Sequence, residues 1–257
     1  MFDWFRSRRR IRIGNSPFPT AWLSFVEKNV PYYSMLATES REELLEHVKV
    51  LLHEKHFEGC GGFEVVDEVR VTIAAHASCL LLHREADYFP RLRTVLVYPS
   101  IFLVEDEYPD EDGVVYGGGD EHAGQSWDRG VVVLAWDEVL KSSKYAGDGY
   151  NVVLHEFAHQ LDTEDRFADG TPILGDKARY DEWGEVFQAE YEDLIRDVRR
   201  GRHTVIDEYG VTNEAEFFAV AVEAFFETPV KFRRKHPELY GQLSGYFQQD
   251  PATLYTT

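Results

Sequence analysis

The sequence predicts an α+β fold with a helical C-terminal half. Short β-branched or alternating segments are confined to residues 63–136, ahead of the segment "NVVLHEFAHQLD" at 151–162. From residue 150 onward, the long segments instead repeat apolar residues at helical spacing. Strands in one part of the chain and helices in the other are typical of the α+β class. The 257 residues are expected to form a single domain, 1–257, with a basic N-terminal tail at about 1–14.

The composition indicates a folded protein and narrows the classes of partner. Hydrophobic residues make up 44% and aromatic residues 14% of the chain, which is typical of a globular domain. A net charge of −19 repels phosphate backbones, so it argues against direct nucleic-acid binding and suits a basic protein partner. The only cysteines, Cys60 and Cys79, make no disulfide framework and fit a reducing compartment.

The N-terminal segment "MFDWFRSRRRIRIG" is basic but has no apolar stretch after it, so it is not a secretory signal. No run approaches the roughly 18 apolar residues of a membrane span. We therefore expect a cytoplasmic protein without a transmembrane segment. The N-terminal segment is predicted to be a solvated or docked tail. The alternative is that it contacts an anionic membrane through Phe2, Trp4 and Phe5.

The segments before residue 105 mix helix and strand. Residues 20–56 are predicted to be helical, with Ser40 and Glu43 as a capping box and Gly59 as the end of the run. "FEVVDEVRVTIAAHASCLLLH" is predicted to be a strand followed by a short helix. "TVLVYPSIFLV" is predicted to be a strand broken at Pro99.

The remaining segments surround the segment at 151–162. The acidic, turn-rich stretch "EDEYPDEDGVVYGGGDEHAGQSWDRG" at 105–130, with an acidic insertion at about 105–121, predicts a long surface loop or a loose hairpin. "VVVLAW" at 131–136 predicts a strand, followed by a helix or turn. The later predictions are a loop over 163–176, a helix closed by Gly201, a helix from about 213 to 227 stopped at Pro229, and a last helix "PELYGQLSGYFQQDP".

The segment at 151–162 contains His155, Glu156 and His159 in the order H-E-x-x-H. Four residues of helix place both imidazoles on one face, one turn apart, where both reach a single ion. Glu156 points to the neighbouring side, where it is suited to hold a water as general base. The apolar residues around the motif favour a zinc peptidase helix over a chance match. A similar triplet, His53, Glu54 and His56, has the wrong spacing and is interpreted as a solvated helix face.

A catalytic zinc site needs a third protein ligand. The pattern H-E-x-x-H-x-x-G-x-x-H/D fits poorly, because Asp162 stands at the glycine position and Asp165 at the last one. The other pattern takes a Glu from a later helix, and "NEAEFFAVAVEAFFE" offers Glu216 and Glu223 on nearly the same face. Two carboxylates on a mostly apolar helix need a partner, and a cation would serve.

The spacing leaves three roles open. Glu216 is equally well explained as a metal ligand or as the third residue of a capping box that begins at Asn213. Glu223 is either the fallback ligand or an acceptor for a ligand imidazole. Asp162 would hold either an imidazole or a loop N–H.

Four blocks of this sequence resemble the Mlc titration factor A family. They are "GQSWDRGVVVLAW", "HEFAHQLD", "DEYGVTNEAEFFAVAVEAFFETP" and "YFQQDP". These proteins are bacterial zinc peptidases of the gluzincin type, whose catalytic domain is similar to that of anthrax lethal factor. The resemblance implies a zincin-like metallopeptidase fold, with a small mixed sheet beside the H-E-x-x-H helix.

The resemblance also implies roles for residues. His155, His159 and Glu216 would bind Zn²⁺, Glu156 would be the general base, and Tyr209 would lie near the metal as a transition-state hydrogen-bond donor. Without it, Tyr209 would be interpreted as a packing residue. Peptide or protein is the expected substrate, in an aminopeptidase-like reaction. Strand 131–136, just before the H-E-x-x-H helix, is expected to offer a backbone edge along which an extended peptide pairs. The resemblance further implies binding of a DNA-binding repressor of sugar uptake; the alternative function is therefore repressor sequestration without catalysis.

Overall fold

The computed structural model describes residues 2–85, 87–100, 102–104, 120–122, 124–127 and 130–255. Most of the predicted acidic loop, residues 105–119, therefore lies outside the described residues. The predicted mixture of helices and strands is confirmed.

Helices dominate the described chain. They are α1 (Phe2–Gly14), α2 (Thr20–Asn29), α3 (Pro31–Met35), α4 (Thr38–Glu54), α5 (Asp67–Cys79), α6 (Trp136–Lys144), α7 (Val152–Asp162), α8 (Lys177–Arg199), α9 (Glu214–Glu227), α10 (Pro229–Lys235), α11 (Pro237–Phe247) and α12 (Pro251–Leu254). The strands are β1 (His56–Gly59), β2 (Thr94–Tyr98), β3 (Phe102–Val104), β4 (Asp120–His122), β5 (Gly124–Trp127) and β6 (Val131–Ala135). Within the described ranges, no helix is both long and apolar enough to span a bilayer.

The larger sheet is mixed and has the strand order β1-β2-β6-β5. β1, β2 and β6 run parallel, with Leu96 opposite Glu58 on one side and Val133 on the other. β5 is antiparallel to β6, with Ser126 opposite Val132. β3 and β4 form a separate antiparallel pair. The stretch predicted as loop or hairpin therefore contributes β4 and β5 where it is described.

The expectation that strand 131–136 forms a free edge is wrong. β6 lies between β2 and β5 and forms ladders with both. Among the strands that the structure describes, β5 is instead the edge strand next to β6. The physical reason lies in the residues of β6, which are almost all buried; a nearly continuous apolar strand belongs in the interior of a sheet.

Gly130 allows the chain to enter β6 beneath a neighbouring turn. Its φ of +80° favours glycine, and a Cβ there would lie 2.3 Å from the carbonyl oxygen of Arg91. The carbonyl of Gly130 accepts the backbone N–H groups of Arg93 and Thr94. This close approach sets the start of β6 against the start of β2.

The core joins the sheet to the helices on which the candidate site lies. α7 packs against β5, β6 and α9. Its apolar side chains Leu154, Phe157 and Ala158 are buried, and the Phe157 ring lies 4.8 Å from that of Phe89 in an edge-to-face contact. α7 is thereby held between the sheet and α9.

Three predictions for the N-terminal half are wrong. α4 begins at Thr38 with Ala37 as its N-cap residue, and no side chain caps it; Ser40 lies inside the helix and bonds the His83 ring. The helical run ends at Glu54, and residues 56–59 form β1. Residues 63–66, predicted as strand, form no strand and lead into α5.

The C-terminal half follows the predicted order of helices. Gly201, with a φ of +64°, follows the end of α8. Pro229 ends the preceding helix and becomes the first residue of α10. The predicted loop over 163–176 includes a single 3-10 turn at Thr163–Asp165. The basic N-terminal segment is helical and packs against α4.

Candidate metal centre

The helix α7 places two imidazoles on one face. Asn151 is its N-cap residue, and the Asn151 side chain accepts the backbone N–H of Leu154. His155 and His159 follow one turn apart, with ring centroids 4.9 Å from each other. Their Nε2 atoms are separated by 3.3 Å.

The helix α9 brings a carboxylate to the same point. Asn213 is its N-cap residue and accepts the backbone N–H of Glu216 at 2.9 Å. The Oε2 atom of Glu216 lies 3.1 Å from Nε2 of His155 and 3.3 Å from Nε2 of His159. The three ligand atoms all lie within 4.8 Å of one another, and the three residues are partly buried.

The triangle of ligand atoms fits a tetrahedral zinc ion. Ligands at the usual 2.0–2.1 Å from zinc are separated by about 3.3–3.4 Å in a tetrahedron. The observed separations are 3.1, 3.3 and 3.3 Å. Two imidazoles and one carboxylate also match the three-ligand sets of catalytic zinc sites. The donor set and its spacing therefore fit the metal that the sequence predicts.

The pKa values of Glu216, His155 and His159 depend on one another. Burial raises the pKa of Glu216, but its bonds to both imidazoles outweigh burial and hold the pKa far below its usual range. Burial lowers the pKa of His155, whereas the bonds to Glu216 and Glu223 raise it well above its ordinary value of 6.5. Burial lowers the pKa of His159. Without a cation, the two carboxylates therefore favour the cationic form of the His155 ring, which carries a proton on each nitrogen.

Glu223 orients the His155 ring through the Nδ1 atom of the imidazole. Its Oε1 atom lies 2.8 Å from Nδ1 of His155, and its Oε2 atom accepts the backbone N–H of Asn151. The side chain is buried, with 3% of Glu223 exposed. A donor bond at Nδ1 leaves Nε2 of His155 as the atom directed to Glu216. Of the two roles that spacing left open for Glu223, the structure shows the imidazole acceptor.

Glu156 is buried beside the triangle. Only 3% of Glu156 is exposed, and its Oε2 atom has no hydrogen-bond partner among the described residues. Burial raises the pKa of Glu156 to about 8; His155 opposes the rise, and Glu216 and Glu223 add to it. A buried carboxyl oxygen without a partner is costly unless a ligand or water satisfies it.

Tyr209 lies next to the His155 ring. It belongs to a 3-10 turn at Glu208–Val211, which begins with Asp207 accepting the backbone N–H of Tyr209. The Tyr209 ring is 6.1 Å from the His155 ring, and 47% of the residue is exposed. The role of Tyr209 as a hydrogen-bond donor stays a prediction.

Asp162 serves the loop that follows α7. Its Oδ1 atom accepts the backbone N–H of Thr171 at 2.9 Å, which is the second of the two roles left open. Burial raises the pKa of Asp162 to about 7. Asp165 bonds the backbone N–H of Phe167 and is absent from the triangle. In the similar triplet His53, Glu54 and His56, Glu54 forms an ion pair with Arg10.

A buried hydrogen-bond network, which sequence reasoning missed, joins α7 to α5. The Nδ2 atom of Asn151 donates to Oε1 of Glu227 at 2.9 Å and lies 3.2 Å from Nδ1 of His76. Burial raises the pKa of Glu227 to about 7 and lowers that of His76 to about 4. The available signal was an Asn four residues before His155, at the N-cap position of a helix.

The sequence has clear relatives. Residues 3–248 match the family described as glucose-regulated metallo-peptidase M90. The chain is 38% identical to the uncharacterized protein slr2042 of Synechocystis sp. over 250 residues, 97% of this chain and 90% of that one. It is 32% identical to Mlc titration factor A of Enterobacter sp. over 243 residues, covering 92% and 90% of the two chains. The Escherichia coli protein of that name is 31% identical over 228 residues, covering 87% and 84%. The chain therefore belongs to the glucose-regulated metallo-peptidase M90 family.

Proposed function

We propose that the protein is a zinc-dependent peptidase of the gluzincin type, aminopeptidase-like, in a single zincin-like domain over residues 1–257. The observation that carries the proposal is the triangle formed by His155, His159 and Glu216, with sides of 3.1–3.3 Å. Family membership supports a metal cofactor and peptidase chemistry. Structural zinc sites are usually closed by cysteine, and the triangle contains none.

The chain supplies three functions around the triangle. When bound, zinc supplies a Lewis acid that lowers the pKa of a coordinated water to about 7. Glu156, with its unpartnered buried oxygen, accepts the proton of the attacking water and passes it to the leaving amine. The hydroxyl of Tyr209 donates to the oxyanion that develops from the scissile carbonyl. Glu223 keeps the His155 ring in orientation.

The edge strand β5 offers a place for an extended peptide. β5 forms a ladder with β6 on one side, and among the described residues no strand pairs with its other side. It also packs against α7, which carries the two histidines. A peptide added to an edge strand by backbone hydrogen bonds would lie beside the triangle. This placement replaces the earlier expectation for residues 131–136.

The first test is metal content. We expect one zinc per chain, lost in His155→Ala and in His159→Ala. His203→Ala, an exposed histidine, is the matched control and should retain the metal. Full zinc occupancy in both site variants would overturn the assignment of the ligands.

The second test separates catalysis from the fold. Glu156→Gln should retain zinc and thermal stability but lose cleavage of amino-acid anilides by two or more orders of magnitude. A panel of free and N-blocked peptides then distinguishes aminopeptidase from endopeptidase activity. Wild-type turnover in Glu156→Gln would remove Glu156 as the base.

A second candidate function comes from the name Mlc titration factor A that two relatives carry. We propose that this chain also binds a DNA-binding repressor in the cytoplasm, and its net charge of −19 suits a basic partner. If sequestration is the whole function, repressor binding in Glu156→Gln equals wild type and no peptide is cleaved by either protein. If the chain is a peptidase, only wild type cleaves.

A further inference from the structure

The helix α1 is attached to the body of the protein by polar contacts. The Arg10 guanidinium donates two bonds of 2.8 Å to the Glu54 carboxylate and one of 3.0 Å to Asp87. It also lies over the Tyr88 ring at 4.5 Å. At the helix end, the Lys49 ammonium donates to the carbonyl of Gly14. Ion pairs and backbone bonds thus anchor one side of the helix.

The opposite side of α1 carries large apolar residues among arginines. At about 100° per residue, Trp4, Arg8, Ile11 and Arg12 fall within roughly 100° of the helix circumference, centred about 150° from Arg10. Trp4 is 53% exposed and Ile11 is 63% exposed. The Arg8 guanidinium lies 3.9 Å from the centre of the Trp4 ring. We name these four residues the outer face of α1.

This arrangement reverses the usual orientation of a docked helix. A surface helix ordinarily turns its apolar stripe to the core and its charges to water. Here Arg10 makes the polar contacts with the body beside the half-buried Ile13, whereas Trp4 and Ile11 point outward. The reversal suits a helix whose apolar side chains have an external partner.

The charge of α1 identifies the kind of partner. Residues 2–14 hold five Arg and one Asp, a net charge of +4, so the rest of the chain carries −19 − 4 = −23. Screening over about 8 Å at physiological ionic strength allows a partner at the outer face to respond mainly to the local positive charge. A bilayer interface accommodates tryptophan rings at headgroup level and arginines at lipid phosphates.

We propose that the outer face of α1 binds the surface of an anionic lipid bilayer. The apolar side chains enter the boundary between headgroups and acyl chains, and Arg8 and Arg12 pair with headgroup phosphates. A phosphate-rich nucleic acid would also attract the arginines, but it gives Trp4 and Ile11 no apolar layer to enter. With one short helix, the binding is weak, reversible and salt-dependent. The proposal is independent of the metal centre.

The test is co-sedimentation of the full-length protein with vesicles. We compare pure phosphatidylcholine with phosphatidylcholine containing about one third phosphatidylglycerol. Wild type should bind the anionic vesicles at least tenfold better than the neutral ones, and about 0.5 M salt should abolish the difference. Equal binding to both, or no binding to either, overturns the proposal.

Two double variants locate the binding surface. Trp4→Ala/Ile11→Ala should lower the partition coefficient at least fivefold. Arg8→Glu/Arg12→Glu should lower it by more, since each arginine near an anionic surface contributes roughly fivefold. Anionic binding at the wild-type level in either variant overturns the proposal.

Matched controls use exposed residues elsewhere. Val66→Ala/Val230→Ala removes apolar groups that are also exposed, and Arg199→Glu/Arg200→Glu reverses two exposed charges at the end of α8. Both should bind vesicles as wild type does; a loss as large as that of the α1 variants would overturn the assignment to α1.

Two measurements need no folded variant for comparison. Brominated lipids should quench wild-type tryptophan emission in anionic vesicles only; absence of quenching contradicts insertion of Trp4. Tight binding of the full-length protein to a DNA duplex without vesicle binding would assign the arginines to nucleic acid and overturn the proposal.

Discussion

Glu223→Gln tests whether the metal centre depends on the carboxylate behind it. The variant keeps the size of the side chain but removes its charge. Glu223 accepts from two donors, Nδ1 of His155 and the backbone N–H of Asn151. A carboxamide has one acceptor oxygen, so in either orientation its NH₂ group faces one of these donors. One buried donor is left unsatisfied, and the bond to His155 loses its charge.

The size of the effect follows from these contacts. A hydrogen bond to a charged group contributes about 1.5–3 kcal/mol. Loss of the group that accepts a hydrogen bond from a metal-bound imidazole typically lowers metal affinity about 10–100-fold. The second figure equals about 1.4–2.7 kcal/mol, so the two estimates agree. We expect the zinc dissociation constant of Glu223→Gln to rise about 10–100-fold.

Glu227→Gln is the matched control. Glu227 lies one turn further along α9, is also buried, and accepts from the Asn151 side chain and from the backbone N–H of Gly147. Its hydrogen bonds go to Asn151 and Gly147 rather than to the triangle, so its variant should lower thermal stability while changing zinc affinity less than threefold. Zinc affinity is measured by competition with a chromophoric chelator. An unchanged dissociation constant in Glu223→Gln, with the protein folded, would refute the role of Glu223.

Three further predictions concern turnover, protonation and stability. Tyr209→Phe should keep zinc and KM but lower kcat about 10–1000-fold, and unchanged kcat in anilide assays would remove Tyr209 from catalysis. In the metal-free protein, two carboxylates hold the pKa of His155 well above 6.5, so zinc binding at pH 7 should displace a proton from this ring, and zinc affinity should fall as pH falls. Calorimetry in two buffers should show the release of at least one proton on zinc binding. If no proton is released, the assignment of His155 as a ligand is contradicted. Gly170→Ala should lower stability by about 1–3 kcal/mol in thermal unfolding, because φ is +75° and a Cβ would lie 2.5 Å from the carbonyl oxygen of Glu214; Gly175→Ala, with φ +79° but open space, should cost less, and equal costs would contradict the steric argument.

The helical half of the fold was predictable because its signals are local. Helical spacing, the N-cap residue Asn213 and the position of Pro229 each depend on neighbours in sequence. The N-terminal half was less predictable because β1 holds only four residues and directly follows a helix. Its place depends on parallel pairing with β2, residues distant along the chain. Ser40 and Glu43 had the spacing of a capping box, yet Glu43 bonds His83 instead.

The sequences of β5 and β6 contained a signal for which of the two strands lies at the edge of the sheet. β6 is nearly all apolar, whereas β5, "GQSW", is short and polar. A strand paired on both sides and covered on both faces is apolar throughout, and edge strands are commonly short. Composition therefore favoured β6 as an interior strand. The buried network of Asn151, Glu227 and His76 is different in kind, since no spacing relates three residues from separate elements.

The two sequence interpretations of Glu216 turn out to be compatible, and their compatibility explains how a carboxylate reaches the triangle. In a capping box, the backbone N–H of the third residue donates to the N-cap side chain while its own side chain reaches back. Glu216 makes the first bond, with Asn213. Its carboxylate turns instead to His155 and His159. The cap therefore fixes the first turn of α9 through the backbone and leaves the carboxylate available, so that spacing typical of a helix start also orients a candidate metal ligand.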